Sequence, residues 1–117
     1  MVVDDDPGLL RSLGRLLPRL GYTVALFPTA DAFEKHRDFE NAVCILLDID
    51  LGNRSGIELG QHLKALDIAV PIIYMTGNSD PAVRAAALRS GCLACLSKPF
   101  GAQSLIDLLQ QARAGPG

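Results

Sequence analysis

No stretch of this chain approaches the ~20 consecutive apolar residues that cross a bilayer, although 49% of its 117 residues are apolar. That absence excludes a helical membrane span and leaves an ordinary globular composition. Lys and Arg are never gathered into a run. Eleven basic against thirteen acidic side chains give a net charge of −2, so nothing tracks a phosphate backbone and nucleic-acid binding by this domain is not expected. The amino terminus shows no basic segment followed by an apolar core and a small-residue cleavage site, so no secretion signal is read and the expected compartment is cytoplasmic. Cysteines number three, too few and too odd for a disulfide framework, and each sits in a strand-like apolar context, where a thiol behaves as a small hydrophobe. Cys92 and Cys95 have C-x-x-C spacing, yet redox pairs of that kind open helices. Here the spacing falls in a strand, where side chains three apart face opposite sides. No internal linker interrupts the chain, and a domain of this length buries roughly two thirds of its unfolded surface without staples.

What the sequence does have is an alternation, five times over, of short apolar runs with helical patterns, the mark of a parallel sheet covered on both faces. After Met1-Val2-Val3, Asp6 and Pro7 open a helix with Leu9, Leu13, Leu16, Leu17 and Leu20 as its stripe, Pro18 as a kink in its last turn and Gly21 as its end. Tyr22 to Phe27 reads as the second strand, and a second helix opens at Thr29 and carries Phe33 and His36. Val43 to Asp48 is the third strand, and Ser55-Gly56 starts a third helix with Leu59, Leu63 and Leu66 inward. Ile72 to Met75 is the fourth strand, followed by an Ala-rich helix from Asp80-Pro81 to Ser90-Gly91. Its thin apolar face of Ala82, Val83, Ala86 and Ala87 makes it the element expected to shift most easily. Cys92 to Leu96 is the fifth strand, and a last helix runs from about Ala102 to Ala112 over Leu105, Ile106, Leu108 and Leu109. The domain is expected to span residues 1–113, with 114–117 as the start of a linker.

Chemistry gathers where these strands end. Asp48 closes Val43-Cys44-Ile45-Leu46-Leu47, Asp4 and Asp5 close the first strand, Thr76 closes the fourth and Lys98 the fifth. Open α/β sheets work at that carboxyl edge. Taken singly, each residue has a plainer reading: Asp4 to Asp6 as a helix cap, Thr76 bonding its own backbone, Lys98 as a solvated charge. Together they offer three carboxylates, a hydroxyl and an ammonium to one place. Carboxylates so placed repel one another and call for a cation, and Mg²⁺ suits a site of few carboxylates with room for waters. His36 and His62, without partner ligands nearby in sequence, read as ordinary partly exposed residues.

This order of residues resembles the receiver domain of bacterial response regulators over essentially the whole chain: Val3-Asp4-Asp5-Asp6, Leu46-Leu47-Asp48 with Ser55-Gly56 downstream, Thr76-Gly77, and Lys98-Pro99-Phe100. The resemblance implies a flavodoxin-like (βα)5 fold, a doubly wound five-stranded parallel sheet in the order 2-1-3-4-5. It implies a two-component signalling domain rather than an enzyme acting on other substrates: Asp48 takes a phosphoryl group from the phosphohistidine of a sensor histidine kinase or a histidine phosphotransfer protein, and the domain catalyses its own phosphorylation and dephosphorylation. It further implies Mg²⁺ held by Asp5, Asp48 and the Asp50 backbone carbonyl, with Asp4 acting through water, Lys98 neutralising charge, and Thr76 and Gly77 donating hydrogen bonds to the acyl phosphate. Control of an output domain beyond Gly117, or a homodimer, through the helix 4, strand 5 and helix 5 surface belongs to the same picture.

Three positions depart from that pattern. Cys95 stands at the switch position, where an aromatic is usual three residues before the lysine, so helix 4 and the Thr76 to Asp80 loop are expected to move more than residue 95. Gly52 replaces a proline and is expected to loosen the Asp48 to Ser55 loop, and Asp50 adds an acid beside the phosphoryl site. Two other functions fit parts of the chain. Asp48-Ile49-Asp50 suits an Asp-nucleophile phosphatase, although the acid pair precedes it and the chain has little room for a cap. Cys95 suits an interaction module of the same fold that works without phosphorylation.

Overall fold

The computed structural model of the protein describes every residue except 37, 53, 78, 79 and 115–117. Along the chain run β1 (Val2–Val3), α1 (Pro7–Arg19), β2 (Leu26–Phe27), α2 (Ala30–Glu34), β3 (Ile45–Asp48), β4 (Asp50–Leu51), β5 (Arg54–Ser55), α3 (Gly56–Ala65), β6 (Ile72–Thr76), α4 (Pro81–Arg89), β7 (Ala94–Ser97) and α5 (Ala102–Ala114). Five of the strands form one parallel sheet in the order β2-β1-β3-β6-β7. This is the expected 2-1-3-4-5 order, because β4 and β5 form a separate hairpin.

Why both faces are covered follows from the alternation of side chains along each strand. Val2, Leu46, Ile73 and Met75 join Leu13, Leu17, Leu105 and Leu109 in a core under α1 and α5. Their neighbours Val3, Ile45, Leu47, Ile72 and Tyr74 join Phe33, Leu59, Leu63 and Ala87 on the opposite face. A buried Leu or Ile contributes about 1.5–3 kcal/mol, so β3, buried at all four positions, is a principal fixture of the sheet. Asp48 rides on its end.

Several elements differ from the sequence expectation. The second strand pairs only at Leu26 and Phe27, because its partner β1 offers only Val2 and Val3 to the ladder; Tyr22 to Ala25 lie outside it. α2 stops at Glu34, so His36 lies beyond it, packed between the rings of Phe27 and Phe39 at 5.3 and 5.6 Å. Leu66, expected inward, is 53% exposed. The chain reverses there through Asp67 at φ 60°, and the Ile68 N–H donates to the Leu63 carbonyl at 3.0 Å, so Ile68 takes the apolar place beside the core. The first helix continues through Pro18 to Arg19 and closes on Gly21 at φ 91°. The last reaches Ala114, and the rest of the expected linker lies outside the described residues. Among the described residues no helix is long and apolar enough to cross a membrane.

Gly52 has a definite task in the hairpin that interrupts the β3 to α3 connection. Asp50 pairs with Ser55 and Leu51 with Arg54 in antiparallel register, and Gly52, which follows directly on the first of these strands, sits at φ 74°. Tight hairpin turns need a positive φ at that position. Leu51 is buried, and the Arg54 guanidinium reaches Glu34 at 2.5 Å and Asp31 at 3.4 Å. The connection that was expected to be loose is a tethered hairpin.

Candidate functional site

Four parallel strands bring their carboxyl ends together at one edge. β1 runs directly into Asp4 and Asp5, β3 ends on Asp48, β6 on Thr76, and β7 is followed by Lys98. Asp48 pairs in register with Met75, which puts Thr76 one step beyond it, and Thr76 pairs with Ser97. The Lys98 N–H donates to the Thr76 carbonyl at 2.8 Å, so the ammonium-bearing residue is fixed to the strand beside the acceptor edge. The Lys98–Pro99 peptide bond is cis.

The charges form a compact group. Lys98 Nζ donates to Asp4 Oδ2 at 2.6 Å and lies 3.4 Å from Asp48 Oδ2. Asp4 is wholly buried, Asp48 and Thr76 nearly so, while Asp5 is exposed. The second oxygens are held by backbone: the Asp6 N–H donates to Asp4 Oδ1 at 2.9 Å and the Asp50 N–H to Asp48 Oδ1 at 3.2 Å. Carboxylate oxygens of Asp4, Asp5 and Asp48 all lie within 4.8 Å of one another. Asp6, by contrast, caps α1 by accepting from the Gly8 N–H at 2.9 Å.

These surroundings set the protonation. Burial, then repulsion from Asp4, pushes the Asp48 carboxyl from 3.8 up to about 6 against the opposing pull of Lys98. Burial alone would pull Lys98 down. The hydrogen bond to Asp4 and the charges of Asp48 and Asp4 outweigh it, and the ammonium ends above its ordinary range. One cation thus serves two buried carboxylates, and a third acid stands at the solvent side. Such an excess of negative charge is the chemistry a hard divalent cation satisfies.

One residue at this site has a role that its place at a helix start does not announce. A Cβ at Gly56 would sit 2.8 Å from the Asp48 carbonyl carbon and 2.9 Å from the Ile49 Cα, both closer than packing allows. The Gly56 N–H donates to the Ile49 carbonyl at 2.7 Å. Glycine therefore lets the first turn of α3 rest on the peptide that carries Asp48. The Ser-Gly pair was legible as a helix start; the close approach was not, because it depends on where β3 ends in space.

Cys95 is buried in the middle of β7, paired in register with Tyr74. Burial raises its thiol above the ordinary value, and all three cysteines are free thiols. An aromatic ring is present on this face after all, carried by the neighbouring strand: Tyr74 is 1% exposed.

The features have counterparts among known proteins. The family model described as "Response regulator receiver domain" matches residues 1–110. Nodulation protein W of Bradyrhizobium diazoefficiens is 34% identical over 111 residues, covering 95% of this chain and 49% of that protein. A response regulator receiver protein from Pseudoalteromonas atlantica superposes with a TM-score of 0.91 at 26% identity, covering 99% and 97% of the two chains. A response regulator from Burkholderia pseudomallei, solved with a phosphorylated aspartic acid, a calcium ion and citrate, superposes at 0.82 and is 31% identical, covering 97% of this chain and 66% of that one. The chain spans about half the length of the curated relatives it matches.

Proposed function

The chain belongs to the response regulator receiver domain family, a signalling domain of two-component systems, and from that premise we propose that Asp48 is its phosphoacceptor. The observation that carries the assignment is the buried Asp48 carboxylate at the end of β3, 3.4 Å from Lys98 Nζ and grouped with two further acids. In the reaction a carboxylate oxygen of Asp48 forms the new O–P bond. The P–N bond of a phosphohistidine breaks, and its electron pair returns to the imidazole nitrogen. Lys98, already shared between Asp4 and Asp48, neutralises charge on the transferred oxygens, and the Thr76 hydroxyl and Gly77 N–H donate to the acyl phosphate. Gly77 is exposed, and a Cβ there would meet nothing within 4 Å among the described residues, which leaves room for those oxygens.

Asp5, Asp48 and the Asp50 carbonyl would hold Mg²⁺, with Asp4 acting through water. The donor set of three clustered carboxylates fits that ion. When bound it supplies further neutralisation of the phosphoryl oxygens. The Burkholderia relative, with its phosphorylated aspartic acid and calcium ion, supports the pairing of acyl phosphate with divalent cation. A sensor histidine kinase or histidine phosphotransfer protein is the donor in this reading, and the chain works in the cytoplasm. The α4, β7 and α5 face then controls an output domain beyond Gly117 or a homodimer. Family membership disfavours both the phosphorylation-independent module and the phosphatase.

The test is intact-mass measurement after incubation with Mg²⁺ and acetyl phosphate. One added phosphoryl group, absent from Asp48→Asn, is the expected result. Undiminished labelling of Asp48→Asn would sink the assignment, and sustained turnover of a generic phosphomonoester would favour the phosphatase.

A further inference from the structure

The hairpin that carries Asp50 is too small to hold itself. Its ladder has two residues on each side, Asp50 with Ser55 and Leu51 with Arg54, and an isolated two-stranded hairpin is marginal in water even when longer. Its base is pinned to the acceptor strand: the Asp50 N–H donates to Asp48 Oδ1 at 3.2 Å, and the Gly56 N–H, just past Ser55, donates to the Ile49 carbonyl at 2.7 Å. The remainder is held from outside, by α2.

Residues opposite each other in an antiparallel ladder project from one face, so Leu51 and Arg54 leave the hairpin on the same side. Leu51 is buried in the cluster that includes Ala30 and Phe33 of α2. Arg54 carries the attachment outward, with Nη2 2.5 Å from Glu34 Oε1 and Nη1 3.4 Å from Asp31 Oδ1. Three apart in α2, the two acids share a helix face, and a planar guanidinium offers its donors as a fork that meets both. An apolar contact fixes how deep Leu51 sits but not how its backbone is turned, and the directed bonds of its cross-strand partner supply that restraint. The peptide so held joins Asp50 to Leu51. Its carbonyl is the one that the site described above would present to Mg²⁺, an ion whose near-ideal octahedral geometry tolerates little error in the aim of a ligand.

We propose that Arg54 is a positioning residue for the metal: bonded to Glu34 and Asp31, it sets the Asp50–Leu51 peptide so that the Asp50 carbonyl faces the carboxylate cluster. This role rests on the reading of Asp5, Asp48 and Asp50 as the Mg²⁺ site and adds a residue that touches neither the ion nor the phosphoryl group. Charge alone predicts the reverse, because taking a cation away from the neighbourhood strengthens the attraction for Mg²⁺.

A Mg²⁺ titration followed at the backbone amides of Asp50 and Leu51 by NMR tests it. Arg54→Gln is expected to weaken Mg²⁺ binding about tenfold, the size usual for a group that orients a ligand, and to speed exchange of the Asp50 N–H in the absence of metal. Melting without metal should stay near that of wild type, since exposed ion pairs add little to stability. In the Asp31→Asn/Glu34→Gln background, where the fork has nothing to grip, Arg54→Gln should no longer weaken binding. Arg54→Lys, which keeps the charge and loses the fork, should weaken it about threefold. Unchanged or tighter binding by Arg54→Gln, the same loss in both backgrounds, or wild-type affinity in Arg54→Lys would overturn the role. A wild-type Asp50 amide indifferent to Mg²⁺ would overturn it together with the metal assignment. Intact-mass labelling of wild type by acetyl phosphate is measured alongside, so failure of the acceptor reading shows separately, as absence of the added phosphoryl group.

Discussion

A carboxylate buried beside another carboxylate is reluctant to stay charged, and at Asp48 that reluctance is a cost to the fold. Its carboxyl titrates near 6 rather than 3.8, so the folded chain holds the proton more tightly than the unfolded chain. The stabilisation this gives is complete below about pH 3.8 and lost as pH rises to about 6. Above that range, without Mg²⁺, Asp48→Asn is expected to be more stable than wild type by on the order of 2–3 kcal/mol. Urea unfolding at pH 4 and pH 8 checks it: the gap between the two proteins must open with pH, and a constant gap would disprove the assignment of strain to this carboxyl. Lys98→Ala acts in the opposite sense, leaving Asp4 buried without its cation, and should cost about 3–5 kcal/mol in the same metal-free assay. The convergence of Asp4, Asp5, Asp48, Thr76 and Lys98 was legible in the sequence because each ends an apolar strand-like run or stands just after one. Gly56 and Gly60 were not, since their contacts lie with residues far along the chain whose positions only the packed sheet defines.

At the scale of elements, periodicity gave helix and strand order, and departures arose where one element depends on another. β2 is as long as its partner allows, and Leu66 turned outward because the helix end reverses at Asp67. Two substitutions separate local from tertiary control. Asp67 occupies a left-handed turn at φ 60° that glycine adopts freely, so Asp67→Gly is expected to change stability favourably by up to about 1 kcal/mol in thermal unfolding; a loss would show that the aspartate side chain has a contact worth more than the turn. Gly60→Ala goes against ordinary expectation. In a helix interior that change usually gains up to about 1 kcal/mol, but here the added methyl meets the Tyr74 hydroxyl and should cost about 1–3 kcal/mol. In the Tyr74→Phe background much of that cost should vanish, and a double-mutant cycle by urea unfolding measures the coupling. Additivity of the two changes would mean that the crowding is relieved elsewhere.

At the scale of the whole molecule, a divalent cation held by Asp4, Asp5 and Asp48 would be linked to the fold through those acids. An ion that binds the folded chain alone raises its melting temperature with concentration, so Mg²⁺ is expected to stabilise wild type at pH 8. Asp5→Ala, altering an exposed side chain, should abolish that gain while melting normally without metal. An unchanged Mg²⁺ response in Asp5→Ala would place the ion elsewhere. The ion pair between Asp4 and Lys98 joins residues 94 positions apart, and the strand carrying the acid pair lies inside the sheet between strands that follow it in sequence. A ribosome therefore delivers the acids long before the lysine, and the ion pair cannot form until Lys98 has followed them. Until it does, the buried Asp4 carboxylate faces no cation, and a chain cut before Lys98 carries an uncompensated charge into its core.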